Sequence, residues 1–252
     1  MKVTSGLSAL VLAILMLTPH GAQGQGGGRA LAERVSTLES LVETLQAQVA
    51  ALQDTLRFVT VEDGELDGLA GPHLIVTGAN VHIRSGSEAT DDGGATPLTG
   101  LGNLIVGYNE PPPGFVPGER AGAHNLVVGP RHRYPNTGGF VAGFENRVSG
   151  ISASVSGGGF NTASGTTASV SGGADNVASG FRGSVSGGAE NQASGTFASA
   201  SGGLRNTVSG RSASVGGGRS NTASGEDSSV SGGFGAAATG LFDWRAGSLF
   251  QD

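Results

Sequence analysis

Ser169-Val170-Ser171-Gly172-Gly173-Ala174-Asp175-Asn176-Val177-Ala178-Ser179-Gly180 is the phrase on which the fold turns. With few substitutions it begins again at Ser154, Ser184, Ser199, Ser214 and Ser229. Asn146, Asn161, Asn176, Asn191, Asn206 and Asn221 mark one place in each unit, fifteen residues apart. So strict a period signals stacked repeats. No unit holds a helix-length segment, which excludes helical and leucine-rich repeats. Two short extended pieces, Ser-Val-Ser and Asn-x-Ala-Ser, are separated by Gly-Gly and Gly-x-x turns, as in one coil of a narrow β-solenoid. With coils stacked at the ~4.8 Å spacing of neighbouring strands, identical residues line up as ladders. Alternation puts Val on one face and both serines on the other. Val155, Val170, Val185, Val215 and Val230, with Ala200, therefore form the repeat core, and the Asn row hydrogen-bonds along the stack.

Working outward, the period loosens. Phe140-Val141-Ala142-Gly143 lies fourteen residues after Leu126-Val127-Val128-Gly129, which lies 22 after Leu104-Ile105-Val106-Gly107 across a Pro111-Pro112-Pro113 excursion. Residues 73–139 thus read as the entry to the roll, with strand-like runs at His73–Val76 and Val81–Arg84 and an inserted loop over Ser85–Gly102. Residues 140–240 are the repeats. In the tail, residues 241–252, the Asn position has already become Ala236 and aromatic residues gather. Terminal coils need a cap, and Phe242, Trp244 and Phe250 are the residues expected to supply it.

Composition narrows the classes. The chain has 252 residues, of which 47 are Gly, with 13% charged and 5% aromatic, and no G-X-Y period, which excludes collagen. A net charge of −6 and regularly placed Val, Leu, Ile and Ala favour an ordered repeat over disorder. There is no cysteine, so no disulfide, thiolate metal site or lipid-modified cysteine is expected. Lys2 is the only lysine and no basic run follows it, so nucleic acid is not an expected partner.

The segment before the roll has a different rhythm. Residues 1–24 read as a signal peptide, with Lys2, an apolar run from Leu7 to Leu17, and small residues at Ala22 and Gly24 for cleavage. That run is shorter than the ~20 residues of a spanning helix, and no transmembrane helix is expected after its removal. The expected location is secreted, extracellular or at the cell surface, with the periplasm as a further option. After a hinge at residues 25–28, residues 29–58 carry heptads: Val35, Val42, Val49 and Leu56 at a, with Leu31, Leu38, Leu45 and Leu52 at d. An unbroken 3.5-residue period argues for a coiled coil. Arg34 and Glu39 fall at g and e, and Arg34-Val35-Ser36-Thr37-Leu38-Glu39 is similar to a short pattern of trimeric coiled coils, so a parallel homotrimer is expected. Val at a with Leu at d also permits a dimer. Residues 59–72 read as an acidic linker (Glu62, Asp63, Glu65, Asp67).

One Val and a few Ala per coil are little apolar surface to set against about 1–2 kcal/mol of ordering cost per residue. Trimerisation would add burial. The phrases Leu-Ile-Val-Gly, Leu-Val-Val-Gly, Phe-Val-Ala-Gly and Ser-Val-Ser-Gly-Gly, over Asn103–Asp243, resemble the head repeats of trimeric autotransporter adhesins of the YadA-like kind. That resemblance implies an all-β, left-handed parallel roll with three chains around a common axis. Units 126–139 and 140–153 match the family's length; the fifteen-residue units exceed it by one. Here the coiled coil precedes the roll, the reverse of that family's order, and the tail is too short for its C-terminal barrel anchor.

Sites for chemistry are sparse. No nucleophile elbow, H-E-x-x-H, Walker A or EF-hand pattern occurs. Gly233-Phe234-Gly235-Ala236-Ala237-Ala238 fits G-x-G-x-x-A but lies inside a repeat with no helix after it. His124 and His132 could share a metal, yet no carboxylate stands at ligand spacing, and they read as solvated loop histidines. Asp175 and Glu190 are replaced by Phe160, Arg205 and Ser220 in other coils, so no calcium ladder forms. No catalytic residue, cofactor or metal is expected. The expected function is an adhesin-like head that binds a host or environmental surface, a glycan or a matrix. Phe181-Arg182, Thr196-Phe197, Arg211-Ser212 and Glu226-Asp227 would vary its outer surface. A structural spike without a ligand is the alternative. Ice binding ranks third, because Thr162, Thr166, Thr196, Thr207 and Thr222 form no continuous T-x-T column.

Overall fold

The computed structural model describes residues 25–246. Residues 1–24, read as a signal peptide, and Phe250 lie outside the described residues. The chain divides into two units, the second beginning at Val81.

The second unit is a mostly parallel β-solenoid. Each fifteen-residue coil contributes a two-residue strand to each of two sheets. The first sheet has ten strands, from Leu104–Val106, Leu126–Val128 and Phe140–Ala142 through the Ser-Val strands to Trp244–Arg245. The second has seven, from Arg147–Val148 to Ala237–Ala238. Register follows the repeat: Ser169 pairs with Ser184, and Val177 with Gln192. A third ladder of single bridges joins Phe144, Gly159, Ala174, Ala189, Leu204, Arg219 and Phe234.

Strands this short cannot bury large side chains, and the interior is built from small ones. The expected apolar row is present: Val155, Val170, Val185, Ala200, Val215 and Val230 are at most 1% exposed, and Val127 and Val141 carry it into the entry coils. Two further rows face it. Val148, Ala163, Ala178, Ala193, Val208, Ala223 and Ala238 line the second sheet, and Ala153, Ala168, Ala198 and Ala213 close the corner before the first. Val, Ala and Ala per coil sit close enough for the backbones to pack as tightly as interiors require. Gly180 shows how little room remains: a Cβ there would meet the carbonyl of Gly195 in the next coil.

The first unit departs from the reading at three points. Its helix runs from Gln25 to Thr55, so Gly26–Gly28, read as a hinge, form its first turn. Glycine inside a helix costs about 1 kcal/mol against alanine, which makes that turn the weakest of the helix. The acidic stretch after it is no linker: Val59–Glu62 pairs antiparallel with His73–Val76, Val59 facing Val76 and Glu62 facing His73. Asp67 and Gly68, both at positive φ (53° and 81°), turn the chain between Leu66 and Leu69, which bridge each other. The His73 run therefore belongs to this hairpin and not to the roll, and Val81–Arg84 is not a strand. The helix and the turn after it leave the apolar seam uncovered: Leu31, Leu38, Leu45, Val49, Leu52 and, in the turn, Leu56 are between 50% and 60% exposed, and Val35 and Val42 are half-buried.

Candidate functional site

The most ordered polar feature is the Asn ladder. Asn146, Asn161, Asn176, Asn191, Asn206 and Asn221 are completely buried. Each Oδ1 accepts the backbone N–H of the Asn one coil on, at 2.8–3.0 Å, and Asn221 ends the run on the N–H of Ala236. Each Nδ2 donates to two turn carbonyls, Ala142 O and Gly158 O for Asn146 and two Gly carbonyls for the others; for Asn176 these are Gly172 O at 3.0 Å and Gly188 O at 2.9 Å. One side chain thus bonds three backbone groups of the turns, of which the carbonyl one coil on also accepts a backbone N–H, as Gly188 O does from Ala174 N.

The ladder is one rung longer than the asparagines. His132 is completely buried and occupies the same column one coil earlier. Its Nδ1 accepts the N–H of Asn146 at 3.2 Å, and its Nε2 donates to Val128 O at 3.0 Å. Those bonds fix the neutral Nε2–H form, and burial holds its pKa below the ordinary imidazole range. The reading of His132 as a solvated loop residue is thereby corrected. His124 is half-buried rather than solvated: its Nε2 accepts the N–H of Ser85 at 3.1 Å, while its buried Nδ1 has no partner. A second short ladder, not foreseen, runs before the first sheet, where Asn103 Oδ1 accepts from Asn125 N and Asn125 Oδ1 from Gly139 N.

A varied column that includes Arg147, Val177 and Gln192 runs along the outer side of the second sheet, and surface variation is widest at the two corners. At the first, between the Gly-Gly turn and the Asn, stand Glu145, Phe160, Asp175, Glu190, Arg205 and Ser220, at φ between 53° and 59°. At the second, after Ser-Gly, stand Ser152, Thr167, Arg182, Phe197, Ser212, Asp227 and Phe242, at φ between 52° and 60°. Each corner N–H is bound to the preceding coil, as in Phe197 N to Phe181 O at 2.9 Å. The pairs expected to face outward do so: Phe181, Arg182, Phe197, Arg211, Ser212, Glu226 and Asp227 are exposed, and Thr196 is half-buried. At the first corner Phe144 and Phe160 meet edge to face at 5.5 Å, with Arg131 over Phe144 and 3.9 Å from Glu145. Further along, Arg205 binds Glu190 at 2.7 Å, which lowers the carboxyl pKa. At the second corner Phe181 and Phe197 meet at 5.8 Å, and Arg211 binds Glu226 at 2.8 Å.

The tail does not cap as expected. Phe242 and Trp244 are 71% and 64% exposed. Trp244 pairs with Ser229, in the outward serine column of the first sheet, and its Nε1 donates to Ser231 Oγ at 3.0 Å. Arg245, not an aromatic residue, stands at the end of the Val row.

The entry coils are held by larger side chains. Arg120 donates to the carbonyls of Asn109, Glu110 and His132 at 2.6–2.9 Å. Glu119 accepts from Arg133 at 3.0 Å and Arg147 at 3.2 Å, and its pKa is lowered by the backbone N–H of Val116 and by Arg133. Within the inserted loop, the N–H and hydroxyl of Thr99 bind buried Asp92 and hold its pKa at about 2, the N–H contributing most. A cleft of about 800 Å³ lies between Val81–Thr90 and His124.

Among the described residues no group of three or more His, Asp or Glu is placed to hold a metal, and no helix is long and apolar enough to cross a membrane. The fold defines the chain as a parallel β-solenoid repeat protein. No family model and no curated protein matches the sequence.

Proposed function

We propose that the chain is a secreted or surface-displayed, non-catalytic, adhesin-like homotrimer that binds a surface, a glycan or a matrix through its roll. In this reading the roll is left-handed, like the YadA-like heads that its phrases resemble. The observation that carries the proposal is the division of each coil. Interior positions stay Val, Ala and Asn, while the corners pass through Phe, Arg, Glu, Asp, Thr and Ser. A scaffold that repeats its interior and varies its rim suits recognition, because the rim changes at little cost to the stack.

The trimer rests on the helix. Six large apolar residues at half exposure or more, in heptad register, each gain on the order of 1 kcal/mol or more when a partner helix covers them. Arg34 and Glu39 are both exposed, and in this reading they pair between chains. Sedimentation of the full chain and of a chain lacking residues 29–58 tests this half. We expect a trimer and a monomer; a monomeric full chain overturns it. A screen against cells, glycans and matrix proteins tests the other half, and no binding overturns that. A structural spike is the second reading, favoured by the uniform serine columns on the outer face of the first sheet.

A further inference from the structure

The second corner carries one cluster that the stack does not need. Phe181 and Phe197 stand 44% and 42% exposed with ring centroids 5.8 Å apart, and the Arg182 guanidinium lies 5.1 Å from one and 5.7 Å from the other. Two of the three hold left-handed backbone, Arg182 at φ 54° and Phe197 at φ 60°. Bulky residues are disfavoured there, and other coils solve the same turn with Ser152 and Ser212. The cluster therefore carries a backbone cost and an exposed apolar surface that Ser would avoid. Among the described residues no carboxylate lies within 4.0 Å of Arg182, whereas Arg211 is engaged by Glu226 and Arg131 by Glu145.

From this geometry we infer that Phe181, Arg182 and Phe197 form a binding site for an acidic polysaccharide. A sugar ring lays its C–H face on the phenyl rings, and its carboxylate or sulfate meets the guanidinium. An unpaired cation beside exposed rings selects an anionic ligand with a flat apolar face. Two of the cluster's N–H groups are already bound along the stack, Arg182 N to Thr166 O and Phe197 N to Phe181 O. Neither of these two N–H groups is free for the main chain of a peptide, which favours a glycan over an acidic peptide. The inference rests on the adhesive reading and names its ligand class.

The test measures binding of the full chain to immobilised polygalacturonate, dextran sulfate, neutral dextran and polyglutamate. Arg182→Ser and Phe197→Ser adopt residues that the repeat already places at this position, so folding is preserved, and an unchanged thermal midpoint checks it. We expect salt-sensitive binding to polygalacturonate or dextran sulfate, the preferred one identifying carboxylate or sulfate. Each substitution should weaken it at least tenfold, while Arg205→Ser at the other corner leaves it unchanged. Unweakened binding by Arg182→Ser, equal binding to neutral dextran, or equal binding to polyglutamate overturns the site. If the chain binds cells or matrix protein but neither acidic polysaccharide, the inference falls and the adhesive reading stands. If it binds nothing, both fall.

Discussion

The regular coils and the entry coils solve one problem with different materials. From Asn146 to Asn221 each coil spends one buried Asn and two or three small apolar residues, and the period holds at fifteen. Before it, where intervals are 22 and fourteen, the stack needs His132 in the ladder and buried Tyr134. It also uses Arg120 across three carbonyls and Glu119 between two arginines. Among the described residues, two of the three orphaned buried side-chain atoms, Asn109 Oδ1 and His124 Nδ1, lie there, and the third, Ser228 Oγ, lies among the regular coils. Repetition lets one good rung be copied. An irregular coil requires its own staples and leaves groups unpaired.

Breaking a rung should show this most strongly. Asn176→Ala strands the N–H of Asn191 and the carbonyl of Gly172, while Gly188 O keeps the N–H of Ala174. At about 1–3 kcal/mol for each unpaired buried group, a loss of about 4 kcal/mol is expected in urea unfolding. A loss under about 1 kcal/mol would refute the ladder's role. Gly180→Ala forces a Cβ against the carbonyl of Gly195 and should cost about 3 kcal/mol by the same measurement, with faster amide exchange in the coils on either side. Ser228 stands where neighbouring coils have Ala198 and Ala213, and its hydroxyl has no partner. Ser228→Ala should therefore stabilise by about 1 kcal/mol, a rise in thermal midpoint rather than a fall.

His132 gives the smallest effect at neutral pH and the clearest sign. Its folded pKa is depressed by burial, so its contribution is fully present above the unfolded value of about 6.5 and is lost as pH falls below it. His132→Asn places the ladder's usual residue in the column and should flatten that slope between pH 7 and 5. An unchanged slope would assign it to other groups.

The repeat, its Val row, its Asn ladder and its outward corners were legible because each recurs at a fixed interval, so any one coil explains the rest. The hairpin was hidden by its charge. Glu62, Asp63, Glu65 and Asp67 suggest a solvated linker, although alternating Val59 and Val61 and the Asp67-Gly68 turn were signals of a hairpin. The rung at His132 was missed because it lies fourteen residues from Asn146 and is not an amide. Only the backbone geometry shows that an imidazole accepts on one side and donates on the other as Asn does. Trp244 and Phe242 were expected over the end of the core because they are aromatic. Their position in the coil, which the register with Ser229 determines, places Trp244 in the serine column instead.

The Asn ladder also dictates how the roll yields to force. Every rung joins only neighbouring coils, and the amides all face one way along the stack. A pull on the C-terminal coil loads one set of rungs at a time, in the manner of a zip rather than a shear. Each rupture then releases fifteen residues, roughly 50 Å of slack. Single-molecule traces should be a comb of small, evenly spaced events, each one coil long.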